Sequence, residues 1–199
     1  PDAILWHPEM VVTSTGSAVP DPTVSLCRHP AHPCPEIEGI RVHIARSDAH
    51  GLSLIYQVHG HIDRLALPAR RKPACCEGLW KHTCFEAFVT AGRGYGEINL
   101  SPSNQWAAYG FDNYREGMAV REGFELSFAE DYRAAQAYDL IAELDLTDLP
   151  AGEDWSVGLS AVIELTDGRR CFWALRHAPG KPDFHHPDAF ALSLPPESL

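Results

Sequence analysis

Two runs of alternating residues, set between turn-forming segments, constrain this chain more than any other feature. They lie in the stretch Leu79–Phe111, LWKHTCFEAFVTAGRGYGEINLSPSNQWAAYGF. Phe85, Ala87 and Val89 alternate with His82, Cys84, Glu86 and Phe88; Tyr95, Glu97 and Asn99 alternate with Gly96, Ile98 and Leu100. A period of two belongs to extended chain, because successive side chains of a strand point to opposite faces. Gly92, Gly94 and Gly96 supply one turn region, and Ser101 to Asn104 the next. Trp106 to Phe111 then reads as a third strand, rich in aromatic residues. The stretch predicts a sheet in which two strands each carry an apolar face and a face able to hydrogen-bond or hold a ligand.

The pattern recurs along the chain. Ile40, Val42 and Ile44, then Leu52, Leu54, Tyr56 and Val58, predict a hairpin across Asp48–Gly51. Residues 60–78 read as a long basic loop with a short strand at Ile62–Leu67. Further strands are expected around Phe124–Phe128, Tyr138–Leu144, Trp155–Ile163, Cys171–Arg176 and Ala189–Leu194. Asp167-Gly168 is a favoured tight turn between two of these, since glycine accepts a positive φ. The result is an all-β chain of about ten strands without a helix, hence a β-sandwich or barrel. Residues 1–22 read as an N-terminal extension of small, polar and proline-bounded composition, and residues 23–199 as one domain.

Length and charge narrow the function. A chain of 199 residues suffices for one full core. Its formal net charge of −11 argues against nucleic acid and against an anionic membrane surface as partners. No apolar run reaches the roughly 20 residues of a membrane helix. The first residues, PDAILWHPEM, do not have the form of a secretory signal, which makes a cytoplasmic location the default expectation. Cys27, Cys34, Cys75, Cys76, Cys84 and Cys171 are expected to be mostly free thiols, because a domain of this size does not need disulfides.

Several residue sets carry possible chemistry. His82, Cys84 and Glu86 share one strand face, and imidazole, thiolate and carboxylate together are metal ligands. Against that stands a buried cysteine flanked by two half-exposed polar residues. Glu86, Glu97 and Asn99 form the better polar set, able to bind hydroxyl groups, or to act as acid and base on a glycoside, if their strands are neighbours. Their plain alternative is a solvated face with an arginine partner such as Arg115 or Arg176. Trp80, Trp106 and Tyr109 are candidates to stack on a sugar ring, although such rings are more often core. Arg176, His177, Lys181, His185 and His186 lie in or beside the last long loop; the pair His185-His186 could bind a metal ion or an anion, but the loop is read mainly as a cap with Phe184 plugging one end of the fold.

Beyond these patterns, Leu79, Trp80, His82–Phe88, Tyr95, Glu97, Asn99, Ser101–Ser103, Trp106–Tyr109, Phe111, Tyr114 and Arg115 resemble bacterial DOMON-like domains. The tail WALRHAPGKPDFHHPDAF does so too. These domains are similar to family 9 carbohydrate-binding modules and to the sugar- or haem-binding DOMON superfamily. The resemblance covers roughly residues 23 to 194. It implies an immunoglobulin-like or jelly-roll β-sandwich, antiparallel throughout. Haem-binding members use a methionine axial ligand, and the two methionines here, Met10 and Met118, fall in the extension and in a loop.

The expectation is therefore a small-ligand binding module for a carbohydrate or polyol. Its ligand-binding residues would be Trp80, Glu86, Glu97, Asn99, Trp106, Tyr109, Arg176 and His177, with no catalytic residue assigned. The alternative is a metal-binding protein or small metal-dependent enzyme using His82, Cys84 and Glu86; haem ranks last. No cofactor is assigned.

Overall fold

The computed structural model describes residues 22–121 and 124–196, so the extension expected at residues 1–22 lies almost wholly outside the described residues. Among the described residues there are thirteen strands: β1 (Thr23–Arg28), β2 (Ile37–Arg46), β3 (Gly51–Gly60), β4 (Ala74–Cys75), β5 (Cys84–Thr90), β6 (Tyr95–Leu100), β7 (Gln105–Phe111), β8 (Ala119–Val120), β9 (Phe124–Arg133), β10 (Ala137–Leu146), β11 (Trp155–Glu164), β12 (Arg170–Ala174) and β13 (Leu192–Leu194). Helical structure among the described residues amounts to three short 3-10 turns, at Ile62–Arg64, Leu79–Lys81 and Pro187–Ala189. The expected strand at Ile62–Leu67 is one of these turns, with a single bridge from Leu65 to Leu165.

The strands form one continuous sheet in the order β4-β7-β6-β5-β11-β12-β1-β2-β3-β10-β9, with β13 added to β11 and β8 to β7. This differs from two separate antiparallel sheets in two ways. β1 pairs with β2 through Thr23–Leu26 and with β12 through Cys27 and Arg28, so one strand belongs to both halves. The sheet is also mixed, because β4 runs parallel to β7. A parallel pair needs a crossover, and the chain through β5 and β6 supplies it.

The sheet curls until its halves meet across one core. Phe85 of β5 stacks on Tyr138 of β10 at 5.8 Å and lies 5.1 Å from the ring of Tyr56 on β3. The Tyr56 hydroxyl donates to the Glu86 carbonyl at 2.7 Å, so a polar bond also spans the gap. Ile40, Val42, Leu54, Val58, Val157 and Ile163 fill the same core, and every one of them is buried. Each such side chain stabilises the fold by about 1.5–3 kcal/mol through removal from water. No disulfide joins the six cysteines.

The stretch that opened the argument forms the meander β5-β6-β7, as its alternation predicts. Phe85 faces Leu100, Glu86 faces Asn99 and Glu97 faces Tyr109. Gly94 turns the chain between β5 and β6 at φ 70°, and a side chain there would strike the Phe111 carbonyl at 2.4 Å.

Candidate functional site

The polar residues of β5 and β6 emerge on the face away from the main core. Cys84, Glu86 and Phe88 point there from β5; Tyr95, Glu97 and Asn99 from β6; Ala107, Tyr109 and Phe111 from β7. Glu86, Glu97 and Asn99 thus share one face of neighbouring strands. They are not open to solvent, being 2%, 6% and 0% exposed. A solvated outer face, the plain expectation for them, is absent because two segments roof it.

One roof segment is the Leu79–Lys81 turn, which contacts β5, β6 and β7. It begins at Gly78, whose left-handed φ of 78° suits glycine. Leu79 packs on the aromatic cluster of this face, and Trp80 meets Tyr109 edge-on at 5.7 Å while staying 37% exposed. The other segment is residues 183–190. Phe184 and Phe190 join Phe88, Tyr95 and Phe111 in that cluster. His185 sits among Phe88, Phe111 and Tyr95, at 5.2, 5.1 and 5.9 Å between ring centres. Gly158 of β11 lets this segment close in, since a Cβ there would lie 3.1 Å from the Ala189 carbonyl. Asp183 ties it down, accepting from the Arg115 guanidinium at 2.8 Å and from the Tyr114 hydroxyl. Burial pushes the Asp183 carboxyl up, but these two donors more than offset it and leave its pKa below the usual aspartate value.

Under the roof lies a hydrogen-bonded set. The Asn99 amide donates to Glu97 Oε1 at 2.8 Å, the Ser160 hydroxyl donates to Glu86 Oε2 at 3.1 Å, and the Cys84 thiol lies 3.7 Å from Asn99 Oδ1. His185 Nδ1 meets the Tyr95 hydroxyl at 2.8 Å, and its Nε2 stands 3.8 Å from Glu97 Oε2. Burial first, and then mutual repulsion for Glu86, raises the pKa of both carboxyls. Burial also pushes the His185 imidazole down to about 4, with Arg115 adding to the effect. Burial thus disfavours the charged form of both carboxyls and of the imidazole alike. Tyr109, 1% exposed, has a hydroxyl with no hydrogen-bond partner; the Gly78 backbone is close by without closing a bond, and burial pushes the phenol up to about 12.

The other expected residues are placed differently. Trp106 packs against the main core, on the opposite side of β7 from Tyr109. Arg176 is exposed. His177 turns to β1, donating from Nε2 to the Cys27 carbonyl at 2.8 Å, with its ring 4.8 Å from that of His29. The metal set is not brought together either. His82 precedes β5, is 66% exposed in its side chain, and pairs with Glu164 at 2.7 Å, whereas Cys84 and Glu86 are buried. Among the described residues no three His, Cys, Asp or Glu side chains gather closely enough to hold a metal ion. Sequence reasoning gave Tyr95 and Ser160 no role. Tyr95 has the same strand parity as Glu97 and Asn99, and Ser160 is a hydroxyl inside an otherwise apolar run; both signals were available. A separate open hollow of about 580 Å³ lies between the Ile62–Arg64 turn and the β9–β10 turn, lined by His61, Asp63, Leu67, Arg133 and Gln136 among others.

No helix among the described residues is long and apolar enough to cross a membrane. No known protein family matches the chain, and no curated protein matches it in sequence. Among solved structures, the chain is similar to a family 9 carbohydrate-binding module from Caldicellulosiruptor kristjanssonii in complex with cellotriose, at TM-score 0.52 and 10% identity over 80% of this chain and 75% of that one. A family 9 module from the same organism, in complex with glucose, scores 0.45 at 11% identity over 71% and 69% of the two chains. At such identity, what the first of these shares with this chain is the fold.

Proposed function

We propose that this chain is a carbohydrate-binding module whose site is the outer face of β5, β6 and β7. The observation that carries the proposal is the meeting of Glu86, Glu97 and Asn99 with an unpaired Tyr109 hydroxyl beneath a half-exposed tryptophan. Sugar recognition needs hydroxyl partners beside a flat apolar surface. Carboxylates and an amide accept from and donate to hydroxyl groups, and an indole face matches the C–H side of a pyranose. A buried phenol without a partner is costly to keep, so a ligand hydroxyl that pairs with it recovers free energy on binding. The fold shared with a module whose structure holds cellotriose supports this reading. Trp80, Tyr109, Glu86, Glu97 and Asn99 form the proposed site; Trp106, Arg176 and His177 are left out of it.

The test is tryptophan fluorescence against glucose, cellobiose and cellotriose. Saturable quenching or enhancement is expected, weakened about tenfold or more in Trp80→Ala, as the loss of one stacked ring implies. Absence of a response from every sugar would remove the proposal.

A further inference from the structure

Glu86 and Glu97 form a buried pair of acids without a matching cation. No described lysine or arginine is ion-paired with either. Arg115, the cation whose field reaches Glu97, is committed to Asp183. The other titratable groups facing the pair are Cys84, Tyr95, Tyr109 and His185, and none of them brings a positive charge near neutral pH. Ser160 and Asn99 each satisfy only one carboxyl oxygen. Tyr109, whose buried hydroxyl has no partner, is the residue directly across from Glu97 on the neighbouring strand. Neutral sugar hydroxyls satisfy hydrogen bonds but leave two adjacent acids unbalanced, so one carboxyl must keep its proton. A metal ion would balance them, but three donors of the required kinds do not gather here.

An ammonium group suits this set of side chains in charge and in bonding. It carries one positive charge and three donors, which matches two carboxylates and one phenol oxygen. We infer that the site selects an amine-bearing ligand, an amino sugar with its amine protonated, placing the ammonium between Glu86, Glu97 and the Tyr109 hydroxyl. The inference rests on the sugar-site reading and narrows it. The ring stacks at Trp80 while the amine enters the polar set beneath. Acetylating the amine removes the charge and two of the donors, so the acetylated sugar loses the advantage.

Calorimetric titration of the whole chain with glucosamine, glucose and N-acetylglucosamine at about pH 6.5 tests this, because an amine with a pKa near that of an α-amino group (about 7.7–8.0) stays protonated there. Glucosamine is expected to bind at least about tenfold more tightly than either neutral sugar, the worth of one charge-assisted hydrogen bond. Binding should release protons, seen as a heat that changes between buffers of different ionisation enthalpy. Glu97→Gln is expected to bring glucosamine to within about threefold of glucose, whatever it does to the affinity for both. Equal binding of glucosamine and glucose overturns the amine inference and leaves the sugar site standing. No binding of any sugar overturns both. The comparison with N-acetylglucosamine needs no variant, so it decides the matter even if Glu97→Gln fails to fold.

Discussion

The two faces of β5 and β6 are equally shut off from solvent and unlike in every other respect. The inner face holds Phe85, Ala87, Val89, Ile98 and Leu100, which need nothing from their neighbours except contact. The outer face holds Glu86, Glu97 and Asn99, with Ser160 and His185 from other elements, which need partners and find only some of them. Low exposure therefore has opposite consequences on the two sides. On one it stabilises, through removal of hydrocarbon from water. On the other it costs stability wherever a charge or a donor is left unmatched. That cost is what the proposed ligand would offset on binding.

Substitutions on each face separate these consequences. Phe85→Ala is expected to have the largest effect, a loss of about 3–5 kcal/mol in urea unfolding, because it opens a cavity between Tyr56 and Tyr138. A loss below about 1 kcal/mol would mean that the inner face is not the seam described.

Glu97→Gln should act in the opposite direction. The folded-state pKa of Glu97 is raised, so its contribution is most favourable below about 4.3, the ordinary glutamate value, and is lost as pH rises through the folded pKa. The amide should therefore raise stability at pH 8 by about 1–3 kcal/mol and do little at pH 4. That corresponds to about 2–4 °C in melting temperature per kcal/mol for a chain of this size. A variant less stable than the parent at pH 8 would contradict the account of this face.

Two of the buried tyrosines, Tyr56 and Tyr109, give a smaller and more direct contrast. Tyr56→Phe removes the bond to the Glu86 carbonyl and should cost about 1 kcal/mol. Tyr109→Phe removes a hydroxyl that has no partner and should leave stability unchanged or slightly higher. Equal losses from both would show that the Tyr109 hydroxyl is paired. A local effect is expected from Asp183→Asn, about 0.5–1 kcal/mol, read as faster amide exchange at residues 183–190 without change in β3 or β10.

The strands of the meander were readable from sequence because alternation is a local property. So was the sharing of one face by Glu86, Glu97 and Asn99, once β5 and β6 are neighbours. The parity of Trp106 was not, since it depends on how the Ser101–Asn104 turn sets Leu100 opposite Trp106. His82 was misplaced because its position follows from where the strand begins: Thr83 is held to the Ala66 carbonyl at 2.9 Å, and the ladder starts only at Cys84. The roof was least readable of all. Residues 183–190 read as a cap, but which face they cover depends on contacts between distant parts of the chain, and alternation carries no trace of those.

β1 has only six residues, yet it is the join between β2 and β12. A sheet spliced through a single short segment has no natural line along which to divide. Severing the backbone between Leu26 and Cys27 would free two open edges at once, one in each half, and each would be left with unpaired amides. The molecule is thus expected to melt as a single cooperative unit, and fragments made by cutting at that splice should not fold alone.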